Sequence, residues 1–101
     1  MKYKFSKKLE EVVIIQPEIH HDYRGEYVET WNIDNYSVFD HLVNGSKPII
    51  FKQDDISTSV KHTLRGLHGD SETWKLVSCV YGSLLQVVVD MRESSDTYLE
   101  Y

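Results

Sequence analysis

The sequence is poor in the features that mark disulfide-rich or membrane-inserted proteins. Its 101 residues include one cysteine, Cys79, so an intramolecular disulfide is excluded. Cys79 lies in an apolar run, where we expect it to be buried as a small hydrophobic side chain. No apolar stretch approaches the ~20 residues that cross a bilayer, and the N-terminus lacks a signal-peptide core. We therefore expect a cytoplasmic protein with no membrane partner.

An excess of positive charge is also missing. The formal net charge is -5, whereas a nucleic-acid-binding domain normally presents a basic face. A short basic cluster lies near the N-terminus, at Lys2, Lys4, Lys7 and Lys8. We interpret it as a solvated arm rather than a phosphate-binding or membrane-binding patch, so no nucleic-acid partner is expected.

The composition favours sheet over helix. Glycine and proline number only 5 and 2, while there are 7 Tyr, 3 Phe and 2 Trp. The length allows a single domain, residues 1–101. Strand-like runs occur at residues 12–16, 25–31, 49–53, 73–81, 84–91 and 98–101. The runs at 73–81 and 84–91 are expected to form a hairpin around Gly82 and Ser83.

One segment, at about residues 34–43, has helical spacing instead. Asn32 or Asp34 can cap its N-terminus, and Gly45 can end it. Several short strands with one helix predict an antiparallel sandwich or barrel. The run at 98–101 begins another strand, so we expect part of a larger barrel, or a barrel that a partner completes.

The residues best suited to chemistry are Arg65, His68 and Lys75. An imidazole ordinarily titrates near neutral pH, so His68 can abstract a proton under physiological conditions. The planar guanidinium of Arg65 suits phosphate oxygens. The cation of Lys75 suits proton abstraction next to a carbonyl, because it stabilises the developing enolate oxygen. The pattern alone leaves open that His68 is a structural or surface histidine and Lys75 a solvated strand residue.

A regular strand would point Arg65 and His68 to opposite faces, because their positions have opposite parity. Both can enter one cavity only if the strand kinks between them. Gly66 is where a bulge costs least, so we predict an irregular backbone there.

Three ordered motifs carry a resemblance to a known family. Residues 51–70, FKQDDISTSVKHTLRGLHGD, resemble the signature of the dTDP-4-dehydrorhamnose 3,5-epimerase family, a branch of the cupins. Upstream, residues 22–31, DYRGEYVETW, are similar to that family's Asp-x-Arg-Gly-x-Phe-x-Glu-Thr-Phe. Downstream, residues 75–77, 81–82 and 87–92 match its Lys-Leu-Val, Gly and Val-Ala-Val-Asp-x-Arg elements. The resemblance covers nearly the whole chain from residue 12 onward.

The resemblance implies an all-β fold, the N-terminal portion of a cupin-type double-stranded β-helix or jelly roll with one short helix. It implies an isomerase of cell-surface polysaccharide biosynthesis, a nucleotide-sugar 3,5-epimerase. Such an enzyme acts on a dTDP- or GDP-linked 4-keto-6-deoxy sugar, needs no cofactor, and forms a homodimer. Because Gly69 follows His68, the His-x-His pair of metal-binding cupins is missing, and no metal is expected.

The resemblance also implies a role for individual residues. His68 resembles the base that removes a proton beside the C4 keto group, and Lys75 the cation that stabilises the enolate. Arg65 resembles the arginine that grips the diphosphate. The other implied substrate-binding positions are Gln53 and Asp55 at the nucleotide, Arg24 and Glu29 lent across the dimer interface, and Tyr27 as a stacking ring.

The sequence departs from the family pattern at three places. Asp55 stands where many relatives have Asn, and its carboxylate would repel a diphosphate. The loop 69–74 is shorter, and is closer to members that act on GDP-linked 4-keto heptoses. The family's proton-donating Tyr, and the Asp that orients its His, come from a second half that nothing here matches. The alternative is therefore a catalytically incomplete cupin fragment that only binds a sugar nucleotide or serves a structural role.

Overall fold

The regular elements of the described residues all lie in the first half of the chain. The computed structural model describes residues 1–43, 45 and 47–101. In chain order the elements are β1 (Lys2–Phe5), β2 (Val13–Gln16), β3 (Ile19–Asp22), β4 (Gly25–Val28), α1 (Ile33–Tyr36) and α2 (Val38–Val43). β1 pairs with β2 and β3 with β4, both antiparallel. The fold is thus mostly β, with two antiparallel sheets and a short helical segment, while the jelly-roll topology stays a prediction.

The lysine-rich N-terminus is a strand rather than an arm. β1 pairs with β2 along its whole length, beginning with Lys2 opposite Gln16. In the connection between them, the hydroxyl oxygen of Ser6 accepts hydrogen bonds from the backbone N–H groups of Lys8 and Leu9, both at 3.2 Å. The expectation of solvated side chains is correct, because all of β1 is exposed, but its backbone is held in a hairpin.

β3 and β4 form a second, tighter hairpin. Asp22 lies opposite Gly25, so the turn between the strands has two residues. A carboxylate oxygen of Asp22 accepts from the backbone N–H of Arg24 at 2.8 Å, and Gly25 has a φ of 131°, a conformation that favours glycine. The strand predicted at residues 25–31 is confirmed at its start but ends at Val28.

The helix predicted at about residues 34–43 is confirmed in place and is divided into α1 and α2 around Ser37. Asn32 is the N-cap, because its side-chain oxygen accepts from the backbone N–H groups of Asp34 at 2.9 Å and Asn35 at 3.3 Å. The hydroxyl of Ser37 donates to the carbonyl of Asp34 at 2.9 Å, a local bond that competes with regular helical bonding. Neither helix in the described part of the chain is long and apolar enough to cross a membrane.

The buried apolar side chains lie where these helices meet the first hairpin. They are Leu9, Tyr36 and Phe39. The ring of Phe39 packs edge-to-face against Tyr3, at a centroid distance of 5.3 Å, and against Tyr36, at 5.8 Å. The hydroxyl of Tyr36 donates to the carbonyl of Thr30 at 3.0 Å, so its polar end is satisfied. This cluster joins the helical segment to the first hairpin.

The strands predicted at residues 49–53, 73–81 and 84–91 are wrong, because the described residues after α2 contain no paired strand. The expected turn is present, with Gly82 at a φ of 74°. A strand is stabilised by hydrogen bonds to a neighbouring backbone, and these runs have no such neighbour among the residues that the structure describes. Their apolar side chains consequently face solvent, as at Leu85, which is 91% exposed.

Two further expectations fail for the same reason. Cys79 is exposed rather than buried, because no second layer covers the apolar run around it. Residues 98–101 do not form a strand, although two of them are hydrogen-bonded to the backbone of Asp90. The N–H of Leu99 donates to the carbonyl of Asp90 at 2.7 Å, and the N–H of Asp90 donates to the carbonyl of Glu100 at 3.0 Å.

A buried carboxylate, that of Asp90, holds this C-terminal segment. It accepts hydrogen bonds from Arg92 Nε at 2.9 Å and from the hydroxyls of Ser95 and Thr97, both at 2.6 Å. These bonds, that from Arg92 above all, hold the pKa of Asp90 far below its usual range. Arg92 also pairs with Glu11, and so links the C-terminal segment to the first hairpin.

Candidate functional site

His68 and Lys75 lie at the two ends of the loop 69–74, and both side chains are exposed. Within the described ranges, neither side chain makes a hydrogen bond or an ion pair. Gly66, two residues before the histidine, has a φ of 109°, so Arg65 and His68 are not related by a regular strand. The irregular backbone predicted at Gly66 is thus confirmed. The imidazole faces solvent, and no described neighbour orients it.

The guanidinium of Arg65 is held along one edge. Its Nε donates to the hydroxyl oxygen of Ser59 at 2.8 Å, and its Nη2 donates to the carbonyl of Thr58 at 3.1 Å. These two contacts fix the direction of an otherwise exposed side chain. The remaining N–H groups can bind phosphate oxygens, which suit the planar donor geometry of arginine.

Asp70 is a residue of this region that sequence reasoning missed. One of its carboxylate oxygens accepts from the backbone N–H groups of Glu72 at 2.8 Å and Thr73 at 2.7 Å. The other accepts from the hydroxyl of Thr73 at 2.7 Å. An Asp followed three residues later by Thr, between His68 and Lys75, is the sequence signal that could have found it.

Gln53 and Asp55, both predicted to contact the nucleotide, contact each other. The side-chain amide of Gln53 donates to a carboxylate oxygen of Asp55 at 2.8 Å, and both residues are exposed. The bond turns the donor of Gln53 toward the carboxylate and leaves its amide oxygen for other partners. The negative charge of Asp55 favours a nucleoside end over a diphosphate end for this pair.

Arg24 and Tyr27 come together on the second hairpin, where an open depression is lined by both. Arg24 donates from Nε and Nη2 to one carboxylate oxygen of Asp22, at 3.0 and 2.5 Å. This pairing lowers the pKa of Asp22 and raises that of Arg24. The ring of Tyr27 lies opposite His20 at 6.4 Å between centroids and is 70% exposed, which leaves a face for stacking.

Glu29, predicted together with Arg24 to be lent across the dimer interface, makes its contacts within its own chain. Its carboxylate accepts from the side-chain amides of Asn35 at 2.8 Å and Asn32 at 3.4 Å, at the start of α1. It also helps burial to raise the pKa of Tyr36. In this chain Glu29 therefore supports the helix start, and its role toward a substrate stays a prediction.

The structure thus brings the predicted site residues into separate local groups. Arg65, His68 and Lys75 follow one another along the loops of residues 63–75, Gln53 is bonded to Asp55, and Arg24 lies beside Tyr27 on the second hairpin. Within the residues described, no group of three or more His, Cys, Asp or Glu side chains is placed to hold a metal ion.

Comparisons with known proteins place the chain among sugar-nucleotide epimerases. The family model described as dTDP-4-dehydrorhamnose 3,5-epimerase matches residues 6–101. The chain therefore belongs to the dTDP-4-dehydrorhamnose 3,5-epimerase family. No solved structure matches it.

Curated relatives agree with this placement. A dTDP-4-dehydrorhamnose 3,5-epimerase of Methanothermobacter thermautotrophicus is 40% identical over 102 residues, which cover 98% of this chain and 52% of the relative. The enzyme of the same name from Escherichia coli is 37% identical over 94 residues, with 90% and 48% covered. A dTDP-4-dehydrorhamnose 3-epimerase of Streptomyces niveus is 32% identical over 96 residues, with 89% and 42% covered. The chain spans about half the length of the curated relatives it matches.

Proposed function

We propose that the chain supplies the proton-abstracting half of a nucleotide-sugar epimerase, an isomerase that inverts C3, C5 or both in a nucleotide-linked 4-keto-6-deoxy sugar. The observation that carries the proposal is the family match over residues 6–101, which includes the exposed His68 and Lys75. The names of the relatives, dTDP-4-dehydrorhamnose 3,5-epimerase and 3-epimerase, support such a reaction, and we expect it to belong to the biosynthesis of a cell-surface polysaccharide sugar.

In the proposed reaction, an imidazole nitrogen of His68 removes the proton from the carbon beside the C4 keto group. The electron pair of the broken C–H bond forms the enolate double bond, and the C4 oxygen takes the negative charge. The ammonium of Lys75 stabilises that oxygen, which lowers the barrier because the charge develops only in the transition state. Inversion requires a proton to return to the opposite face, from an acid that we expect outside these 101 residues or on a second chain.

Binding of the nucleotide would use the three local groups of residues. Arg65, held in direction by Ser59 and Thr58, would bind the diphosphate. Gln53 and Asp55 would contact the nucleoside. Arg24 and Glu29 would reach the nucleotide end of a neighbouring subunit's site in a homodimer, and the ring of Tyr27 would stack against a base.

The proposal also concerns the identity of the nucleotide, dTDP or GDP. The relatives named above carry dTDP in their names, which favours dTDP. The short loop 69–74 instead resembles that of members acting on GDP-linked 4-keto heptoses. Residues 1–101 would form the N-terminal portion of a cupin barrel, and a cytoplasmic location stays a prediction.

A second function is favoured by one specific observation. Within the described residues no side chain orients His68, and the chain spans about half the length of its relatives. A chain in this state could bind a sugar nucleotide without turning it over, or serve a structural role.

Proton exchange separates the two functions. The chain, alone and in a chimera that adds the unmatched part of the Methanothermobacter relative, is incubated in deuterated water with dTDP- and GDP-linked 4-keto sugars. The enzyme function predicts deuterium at C3 or C5 in the chimera, detected by mass spectrometry. Calorimetric binding of dTDP or GDP with no exchange in either form would establish the binding function instead.

Lys75→Met is the variant that tests the division of roles in this assay. Because the ammonium acts on the enolate, we expect exchange to fall by about 10²-fold or more while the Kd for the free nucleotide stays within about threefold. Lys61→Met is the matched control, since Lys61 is exposed and lies outside the proposed site. An equal loss in both variants would contradict the assigned role of Lys75.

A further inference from the structure

The loop between His68 and Lys75 is closed by a single carboxylate. Asp70 accepts two backbone N–H groups, those of Glu72 and Thr73, and the hydroxyl of Thr73, all within 2.8 Å. Carboxylates that accept several short hydrogen bonds in a turn restrict the backbone dihedrals of the residues they bridge. The segment between His68 and Lys75 is therefore a turn with few alternative backbone conformations.

The charge of Lys75 acts on the same carboxylate. The hydroxyl of Thr73, then the N–H groups of Glu72 and Thr73, and also the ammonium of Lys75 lower the pKa of Asp70. Asp70 is consequently an anion at neutral pH. The ammonium of Lys75 has no hydrogen-bonded partner among the described residues, so its charge is free to act on Asp70 and on a bound substrate.

Stabilisation of the enolate requires that the ammonium of Lys75 be both charged and held in position. A lysine carries its charge on a flexible stem of four carbons, and an ammonium that samples many positions contributes little to a transition state. Displacement of a positioned group by about 1 Å can cost about 10²-fold in rate. A short turn that a carboxylate holds, two residues before Lys75, narrows the positions that the ammonium of Lys75 samples.

We propose that Asp70 is a positioning residue for the proton abstraction, which sets the placement of Lys75 relative to His68 through the turn it closes and through its charge. This inference rests on the proposed function. Asp70 itself touches neither substrate nor reacting atoms.

Three variants and one control separate the effect of the turn that Asp70 closes from the effect of its negative charge. Asp70→Ala removes both, whereas Asp70→Asn keeps an oxygen acceptor for the two backbone N–H groups and removes the charge. Thr73→Val removes the hydroxyl donor and keeps Asp70. Ser71→Ala is the matched control, because Ser71 lies in the same loop and its hydroxyl has no partner among the described residues.

In the exchange assay with the chimera, we expect kcat to fall about 30- to 100-fold in Asp70→Ala and about 10-fold in Asp70→Asn. KM should stay within about threefold, because substrate contacts are untouched. Ser71→Ala should change neither constant by more than about twofold. A purely structural Asp70 would instead raise KM along with any loss of kcat.

A second readout does not depend on turnover. The carboxyl carbon of Asp70 is titrated by NMR in the unsubstituted chain and in Lys75→Met, where loss of the ammonium should move its midpoint upward. An unmoved midpoint, or a kcat of Asp70→Ala equal to that of Ser71→Ala, overturns the inference and leaves the proposed function standing. Absence of exchange in the unsubstituted chimera overturns the proposed function, and the inference with it.

Discussion

Replacing Phe39 by alanine should destabilise the first half of the chain more than any other single truncation on α2. Phe39 is 7% exposed, and its ring packs edge-to-face on Tyr3 and Tyr36. Removing a buried phenylalanine side chain costs about 3–5 kcal/mol. We take the lower end, about 3 kcal/mol, because only Leu9 and Tyr36 share the buried cluster and the site can partly collapse. At about 4–8 °C per kcal/mol, the midpoint of thermal unfolding should fall by about 12–24 °C.

Leu42→Ala is the control on the same helix, since Leu42 is 42% exposed and should cost only about 1 kcal/mol. Urea unfolding followed by tryptophan fluorescence measures both variants, because Trp31 packs against Phe51 at 6.4 Å and reports on this region. Equal midpoints for Phe39→Ala and Leu42→Ala would refute the assignment of Phe39 to a core.

The remaining predictions concern the helix cap and the buried carboxylate. Asn32→Ala removes the acceptor of two backbone N–H groups and should cost about 1 kcal/mol in urea unfolding, whereas Asn32→Asp should change the unfolding free energy by only a few tenths. The pKa of Asp90 is lowered in the fold from 3.8, chiefly by the Arg92 side chain. A carboxyl group whose pKa is lower in the folded than in the unfolded protein stabilises the fold at pH values above its unfolded-state pKa. That stabilisation is lost as the pH falls through the folded-state pKa. The unfolding free energy should therefore hold steady above about pH 5 and decline below about pH 4. Arg92→Met should weaken this acid dependence, and an unchanged pH profile would contradict the role given to Arg92.

Local signals in the sequence predicted the local structure well. Asn32 before an acidic turn indicated a helix start, and Asn32 is the cap. Gly66 between residues of opposite parity indicated an irregular backbone, and its φ is 109°. Gly82 indicated a turn, and its φ is positive. Each of these features depends on contacts within a few residues, which a single sequence contains.

Pairing between distant segments was predicted poorly. Residues 73–91 are rich in the apolar and β-branched residues that strands favour, but this composition shows only that a run can pair and not that a partner exists. The accessible surface of the chain is 9626 Å², against about 5,900 Å² for a compact protein of this mass. Its radius of gyration is 15.4 Å, against about 13 Å for a compact chain of this length. The unpaired runs carry much of this exposed surface, which fits a chain that spans about half the length of its relatives.

For the site residues, too, the sequence predicts the identity of the residues but not their contacts. Arg65, His68 and Lys75 could be chosen from residue chemistry and family resemblance, because both are properties of the sequence. The contacts of Glu29 with the cap of α1, and those of Asp70 with its own turn, could not be chosen so. These contacts depend on which of several acceptors a donor reaches, and that choice is visible only in the three-dimensional structure.

The central claim is that His68 is the base of a nucleotide-sugar epimerase. It is tested most directly by the rate of deuterium incorporation at C3 and C5 in His68→Ala, with His62→Ala as the control for an exposed histidine nearby. We expect His68→Ala to lose at least about 10²-fold of the exchange rate while it retains nucleotide binding, and His62→Ala to exchange at the unsubstituted rate. Exchange by His68→Ala at the unsubstituted rate would contradict it.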